Sequence, residues 1–392
     1  MKVAEVRPFG TLAIDVPKGL KGVVVAETEI GDVRGIEGFY HYRQYNAIEL
    51  AMKCSLEEVW YLLHRGSLPT PEELASMEQE VRHLRVIPKD IKELLPGMAG
   101  VGETFVPLEA LRSALSLMAS SLGFKPWLDV GMDKLRSQAL RICAVTPTLV
   151  MALHRLNNGL DPIDPHPDLP YAANYLYMRT GEEPEELQAR AIEKYLISTI
   201  DHGFNASTFT ARVVTSTGAD IGGAVVAALA SLSGPLHGGA PSRALEMLDE
   251  IKSPERADEW IRSAILRGDR IMGFGHPVYK TDDPRSTMLR SLAEQLAGPR
   301  LEFAKYVESR VIALLEELKP GRELRTNVEF YAGIVMESIG LPPDLFTPTF
   351  ACSRAIGWTA HILEQASDNR IIRPSGRYTG PPPPEPIDRE ER

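Results

Sequence analysis

The chain of 392 residues has little of several things that would mark a specialised architecture. Its three cysteines, Cys54, Cys143 and Cys352, are far apart, so it has neither a C-x-x-C pair for metal or redox chemistry nor a disulfide framework. A reduced, cytoplasmic setting is expected. There is no basic excess, because 43 Lys and Arg face 53 Asp and Glu for a formal charge of −10; a nucleic-acid binder leans the other way. The longest uncharged apolar run, Ile221 to Leu236, falls short of the roughly 20 residues that cross a bilayer. The start, "MKVAEVRPFGTLAIDVPKG", has no continuous apolar core of signal-peptide type. Neither a membrane nor a nucleic acid is an expected partner.

Motif-level absences narrow the chemistry further. No Walker loop or G-x-S-x-G elbow occurs, which argues against nucleotide and serine hydrolysis. No H-x-H or H-E-x-x-H pair occurs either, so no metal site is expected. No fixed-period repeat is visible, and the absence of regular strand–helix alternation argues against a doubly wound sheet.

What is present is mostly helical. Glycine-broken β-branched and aromatic residues in "GLKGVVVAETEIGDV" and "GFYHYRQY" predict short strands or a hairpin near the N-terminus. "SLEEVWYLLHRG" opens on Ser55 and closes on Gly66, and "TPEELASMEQEVRHL" opens on Thr70 and Pro71, the order of helix start and stop signals. Ile192, Tyr195, Leu196 and Thr199 follow i, i+3, i+4, i+7 spacing, as do Ala244, Met247, Leu248 and Ile251, and Val328, Tyr331, Ala332 and Val335. Only "GPPPPEPIDREER", residues 380–392, is compositionally biased, and an extended tail is expected there. At this length two domains are the first expectation.

Four places set ionisable groups against glycine, proline or asparagine: His202 in "DHGFNASTFTAR", His237 in "SGPLHGGAPS", His276 and Arg285 in "GFGHPVYKTDDPR", and Glu329 in "TNVEFYAG". Taken singly, each could equally be a packing or capping residue. His237 stands just before the helix that Pro241 would open, where partial positive charge disfavours imidazolium. A neutral imidazole there can donate a hydrogen bond to a developing enolate oxygen. Glu329 follows Asn327, a plausible cap, in a first turn that favours the carboxylate. Arg285, Arg354 and Arg373 stand beside proline or on an apolar face, and Arg354, Trp358 and His361 share one face at i, i+4, i+7. If the three guanidinium forks converge, they suit a small dianionic acid.

Taken in order, these segments, with "YLLHRGSLPT", "FACSRAIGWTAHILEQ" and "RIIRPSGRYTG", resemble the citrate synthase family, including 2-methylcitrate synthases, over nearly the whole chain. The resemblance implies a mostly α-helical homodimer with short N-terminal β-strands. It implies a large domain of residues 1–237 and 333–392, a small domain of residues 238–332, and an active site in the cleft between them. By the same resemblance, His202, Arg285 and Arg354 grip oxaloacetate beside Phe350, with Arg373 reaching the other subunit's site. His237 would hydrogen-bond the thioester oxygen, and His276 would polarise the ketone of oxaloacetate. Glu329 falls where most of the family has aspartate, as the base. Gly273, Gly275 and Lys280 would contact coenzyme A, which is a substrate, so no cofactor and no metal are implied. The expected reaction is condensation of acetyl-CoA with oxaloacetate and water to citrate and CoA, in the tricarboxylic acid cycle. The alternatives are 2-methylcitrate synthesis from propionyl-CoA, since one methylene in a pocket is worth only about 1–3 kcal/mol, and a non-catalytic binding relative. "YRQYNAI" departs from the usual "YRGYDI" with no evident consequence for chemistry.

Overall fold

The computed structural model describes residues 14–100, 105–234, 237, 238, 240–275, 279, 281–321, 324–381 and 384. They fall into two units. One comprises the terminal segments, residues 14–27 and 371 onward, in which Arg377 pairs with Asp15 at 2.5 Å. The other, residues 28–370, carries the sheet and the sixteen α-helices described next.

Its only sheet among the described residues is a three-stranded antiparallel one: β1 (Gly31–Arg34), β2 (Phe39–Tyr42) and β3 (Tyr45–Asn46). The hairpin therefore forms from "GDVR" and "FYHY", whereas "VVVAE" stays unpaired. Val24 is 85% exposed, and a β-branched run with no buried face to pack has no reason to pair. Along β2 the alternation does its expected work. Tyr40 and Tyr42 point inward and donate to the Ser198 and Ile197 carbonyls at 2.9 Å, fixing the segment that ends in His202.

The helices run α1 (Ala47–Lys53), α2 (Leu56–Arg65), α3 (Pro71–Leu84), α4 (Lys89–Ala99), α5 (Pro107–Ser121), α6 (Trp127–Asn157), α7 (Tyr171–Thr180) and α8 (Glu186–Thr199). They continue as α9 (Ala206–Ser216), α10 (Ile221–Leu232), α11 (Ala240–Ile251), α12 (Pro254–Arg267), α13 (Pro284–Leu296), α14 (Leu301–Leu318), α15 (Val328–Ser338) and α16 (Phe346–Ser367). Ser55 and Thr70 cap α2 and α3 in reciprocal boxes with Glu58 and Glu73, and Gly66 ends α2 at φ 94°. These are the boundaries the sequence announces. α6 is long and apolar enough to cross a membrane by composition, yet residues 142–153 of it are all buried inside the protein.

α16 is the axis of the larger helical group. It packs on α6, α8, α9 and α10, while α13 packs on α15, α12 on α14 and α11 on α15 in a second group. α16 lies so close to the end of α8 that a Cβ on Gly357 would stand 2.1 Å from the Ile200 carbonyl oxygen. Glycine is the residue that permits this approach.

One buried acid in this packing yields a stability prediction. Glu57, in the first turn of α2, accepts a hydrogen bond from the Tyr171 N–H at 2.8 Å, and burial pushes its carboxyl up to about 7. A carboxyl raised above its unfolded value takes up a proton on folding, so its stabilising effect is complete below about 4.5 and lost as pH rises through 7. Glu57→Gln, which cannot ionise, should therefore raise the melting temperature at pH 8 and give no gain at pH 4.5, as thermal unfolding at the two pH values would show.

Candidate active site

A cavity of about 550 Å³ lies where the end of α8, the start of α9 and α16 face the starts of α13 and α15. It gathers His202, His237, Arg285, Glu329, Phe350, Arg354, Gly273 and Gly275, all expected as site residues. His276 and Lys280 lie outside the described residues, and Arg373 belongs to the terminal unit.

The two arginines are almost wholly buried, at 3% exposure each. Arg285 Nε and Nη2 donate to the two carboxylate oxygens of Asp283 at 3.0 and 2.8 Å. Burial is the largest single influence and would lower its pKa, but the charge and hydrogen bonds of Asp283, with Tyr279 and Tyr40, together outweigh it and raise the pKa. The guanidinium also lies over the Tyr40 and Tyr279 rings. Arg354 has no such ion pair among the described residues. Its Nε donates to the Thr199 carbonyl at 2.8 Å and its plane sits 4.7 Å from the Phe350 ring centroid, yet its Nη1 has no hydrogen-bond partner among the described residues. Burial depresses its pKa. A desolvated guanidinium with an unused donor is stabilised by an incoming carboxylate, which supplies both charge and acceptors.

His202 meets the Tyr279 hydroxyl through Nε2 at 3.0 Å and lies against the Tyr40 ring. Its neighbour Asp201 is fully buried and accepts from His361 Nε2 at 3.1 Å. Arg212 Nη1 donates to His361 Nδ1 at 3.2 Å and to Glu364 at 2.5 Å, so the proton on the His361 ring sits on Nε2. This buried chain anchors the loop that presents His202.

His237 stands three residues before α11, as the proline pattern predicts. Its Nε2 accepts from the Ser207 N–H at 3.3 Å and lies 2.8 Å from the Ser207 hydroxyl. Ser207 in turn takes a hydrogen bond from Trp358 Nε1 at 3.1 Å. Burial, with the Arg354 charge second, lowers the His237 pKa to about 4. The ring is therefore neutral at pH 7, and because Nε2 is an acceptor the free proton is on Nδ1. Sequence reasoning found the neutral histidine but missed Ser207, whose contact is tertiary; "NAST" shows only an Asn cap followed by a serine.

Glu329 begins α15 with its N–H donated to the Asn327 side chain at 3.0 Å. Among the described residues nothing hydrogen-bonds its carboxylate. Burial raises its pKa, opposed by Arg285 and Arg270. The backbone around Gly273 and Gly275 holds this turn: Asn327 donates its N–H to the Gly273 carbonyl at 2.9 Å and its side-chain amide to the Gly275 carbonyl at 3.0 Å. At Gly273, with φ 82°, a Cβ would sit 2.8 Å from that of Phe330, so no larger residue fits. Asp283 completes the link, capping α13 and accepting from the Val328 N–H at 3.2 Å as well as holding Arg285. The cue was in "DDPR", an aspartate before a first-turn proline. Arg243 and Arg270, also unanticipated, line the cavity as exposed residues.

A mostly helical body with two buried arginines, a neutral histidine and a carboxylate that nothing hydrogen-bonds among the described residues, all around one cavity, suits binding of a small acid and proton abstraction. The family described as citrate synthase, C-terminal domain, matches residues 19–375. The chain belongs to the citrate synthase family. It is 40% identical over 372 residues to the citrate synthase of Haloferax volcanii, covering 93% of this chain and 96% of that one. It is 39% identical over 366 residues to the 2-methylcitrate synthase of Mycobacterium tuberculosis, covering 93% and 91%. Among solved structures, the ternary complex of carboxymethyl coenzyme A and oxaloacetate with citrate synthase from Thermoplasma acidophilum is similar, with a TM-score of 0.87 and 30% identity over 96% of this chain and 100% of that one.

Proposed function

We propose that this protein is an acyltransferase that condenses acetyl-CoA with oxaloacetate and water, releasing citrate and CoA. The observation that carries this reading is one cavity shared by Arg285, neutral His237, a buried Arg354 donor and a Glu329 carboxylate, the last two without a hydrogen-bond partner among the described residues. Oxaloacetate would be held by Arg285, Arg354 and His202. Glu329 would take a proton from the α-carbon of the thioester while His237 Nδ1–H hydrogen-bonds the thioester oxygen. The carbon acid is weak, so a carboxylate can act as base near pH 7 only if charge on that oxygen is met as it develops. The enol carbon would then attack the ketone of oxaloacetate, whose oxygen takes a proton from His276. Water would finally cleave the citryl thioester, releasing CoA.

Further elements of the reading rest on resemblance. Residues 238–332 act as a smaller domain closing on the remainder, supported by the mutual packing of α11 to α15. Closure would exclude water and limit wasteful thioester hydrolysis. The protein is a cytoplasmic homodimer in which Arg373 reaches the site of the other subunit. Gly273, Gly275 and Lys280 contact coenzyme A, with no further cofactor required. The M. tuberculosis relative supports propionyl-CoA as the alternative donor.

Free-thiol release with oxaloacetate, measured with acetyl-CoA and propionyl-CoA in parallel, tests the proposal. Faster release with acetyl-CoA supports it, comparable or faster release with propionyl-CoA moves the assignment to 2-methylcitrate synthesis, and no release with either leaves a non-catalytic binding relative. A second expectation concerns the mouth of the cavity. Arg243 and Arg270 have no ion-pair partner among the described residues, which suits the phosphates of CoA. Arg243→Ala and Arg270→Ala should each raise KM for the acyl-CoA and flatten its dependence on salt, with kcat changed little. Arg270→Ala should also move the acid limb of kcat/KM to higher pH, because a cation that favours ionised Glu329 is gone.

A further inference from the structure

A second crevice, open and of about 710 Å³, runs between α1, α8, α13 and the β1–β2 turn. It shares no lining residue with the cavity that holds Glu329. Its interior is marked by Lys194 of α8, which is only 9% exposed. Among the described residues no carboxylate pairs with this ammonium and no acceptor hydrogen-bonds it. Carboxylates do line the rim, but each is engaged elsewhere: Glu49 with Lys53 at 2.5 Å, Glu37 with Arg34 at 3.7 Å and Asp282 with Arg325 at 3.8 Å. Lys194, the one lysine or arginine lining the crevice, is thus left without an ion-pair partner among the described residues.

Lys194 buries its stem while its ammonium reaches the crevice, and partial burial lowers its pKa, with Arg190 adding to the shift and Glu193 opposing it. A bound anion would favour the charged form and add a direct ion pair that the lysine otherwise lacks among the described residues. The same crevice is lined by Ile48, Met52, Met288 and Leu292, apolar side chains among which two methionines can adapt to a ring or alkyl body. Thr281, Thr287 and Ser291 of the same lining offer hydroxyl donors. Such a mixture of one charge, a few polar groups and an apolar wall, at this volume, is the make-up of a small-molecule site.

We propose that this crevice is a second ligand site, taking a small organic anion whose carboxylate or phosphate pairs with Lys194 and whose apolar body lies on Met52, Met288 and Leu292. The proposal is independent of the reaction catalysed in the other cavity, and its test does not read turnover.

The test uses the full chain labelled with 13C at the methionine methyl groups and titrated with phenyl phosphate, benzoate and phenol. Phenyl phosphate or benzoate should shift the Met52 and Met288 signals while leaving that of Met272, which lines the other cavity, in place. The tighter of the two identifies the head group. Phenol, with the ring but no charge, should bind more weakly, and Lys194→Leu should weaken the anion about tenfold or more. Thr287→Trp, at an exposed position of α13, fills the crevice with Lys194 intact and should abolish the Met52 and Met288 shifts; it carries the test if Lys194→Leu fails to fold. Equal affinity in wild type and Lys194→Leu, shifts confined to Met272, or no shift with either anion would overturn the proposal.

Discussion

Glu329→Gln should lose about 10²–10⁴-fold in the rate of thiol release, the range that a positioned general base contributes, while oxaloacetate still binds. The substitution keeps size and shape and removes only the proton acceptor. Because the carboxylate has no hydrogen-bond partner among the described residues, the amide strands no donor and the fold should tolerate it. Calorimetry with oxaloacetate, run beside the thiol assay, separates lost chemistry from lost binding. Near-full turnover would remove Glu329 from the mechanism. In the wild type, burial raises the pKa of this carboxyl, so kcat/KM should fall with acid at a pH above the ordinary glutamate range; that limb should vanish from whatever activity the glutamine variant retains. Glu329→Asp tests placement instead of chemistry. Retreat of the base by one methylene, in a turn held by Asn327 and Gly273, should cost up to about a hundredfold.

The second large effect is expected at Asp283. Asp283→Ala leaves Arg285 buried without its counter-ion, and breaking a buried pair in this way costs about 3–5 kcal/mol, read as a shift of the urea midpoint. It also strips α13 of its cap and the Val328 N–H of its acceptor. KM for oxaloacetate should rise with the loss of stability, since the same carboxylate aims the guanidinium. The double change Asp283→Ala with Arg285→Met separates the two consequences. Replacing a buried ion pair by apolar residues is often nearly neutral, so the midpoint should recover while oxaloacetate binding does not. A single variant as stable as wild type would mean that water or another group already compensates Arg285.

What could be read in the sequence was what depends on neighbours along the chain. Ser55, Thr70 and Asn327 declare their helices because a cap acts within its own first turn. His237 could be seen as a neutral imidazole because the glycines and Pro241 around it are local. The triple valine of "VVVAE" misled, since β-branching promotes pairing only where a sheet face is buried. Ser207, Tyr195 and Arg243 could not be seen at all. Ser207 is an ordinary first-turn serine until α9 brings it to His237, and the Tyr195 hydroxyl, buried in the cavity wall without a partner among the described residues, follows core spacing like any packing residue. Arg354 was visible as a charge on an apolar face, but its unused donor is a property of the packed helix alone.

The stripe Arg354, Trp358 and His361 on α16 ties three separate tasks to one rotational setting. Arg354 faces the cavity, Trp358 holds Ser207 under His237, and His361 holds Asp201 beneath His202. Each residue of a helix turns the next by about 100°, so inserting or deleting a single residue between Phe350 and Arg354 would swing all three contacts off target together. Point changes along α16 can be tried one at a time, but its reading frame is inherited whole: length variation among functional descendants of this chain belongs in the segments on either side of the helix, and not within it.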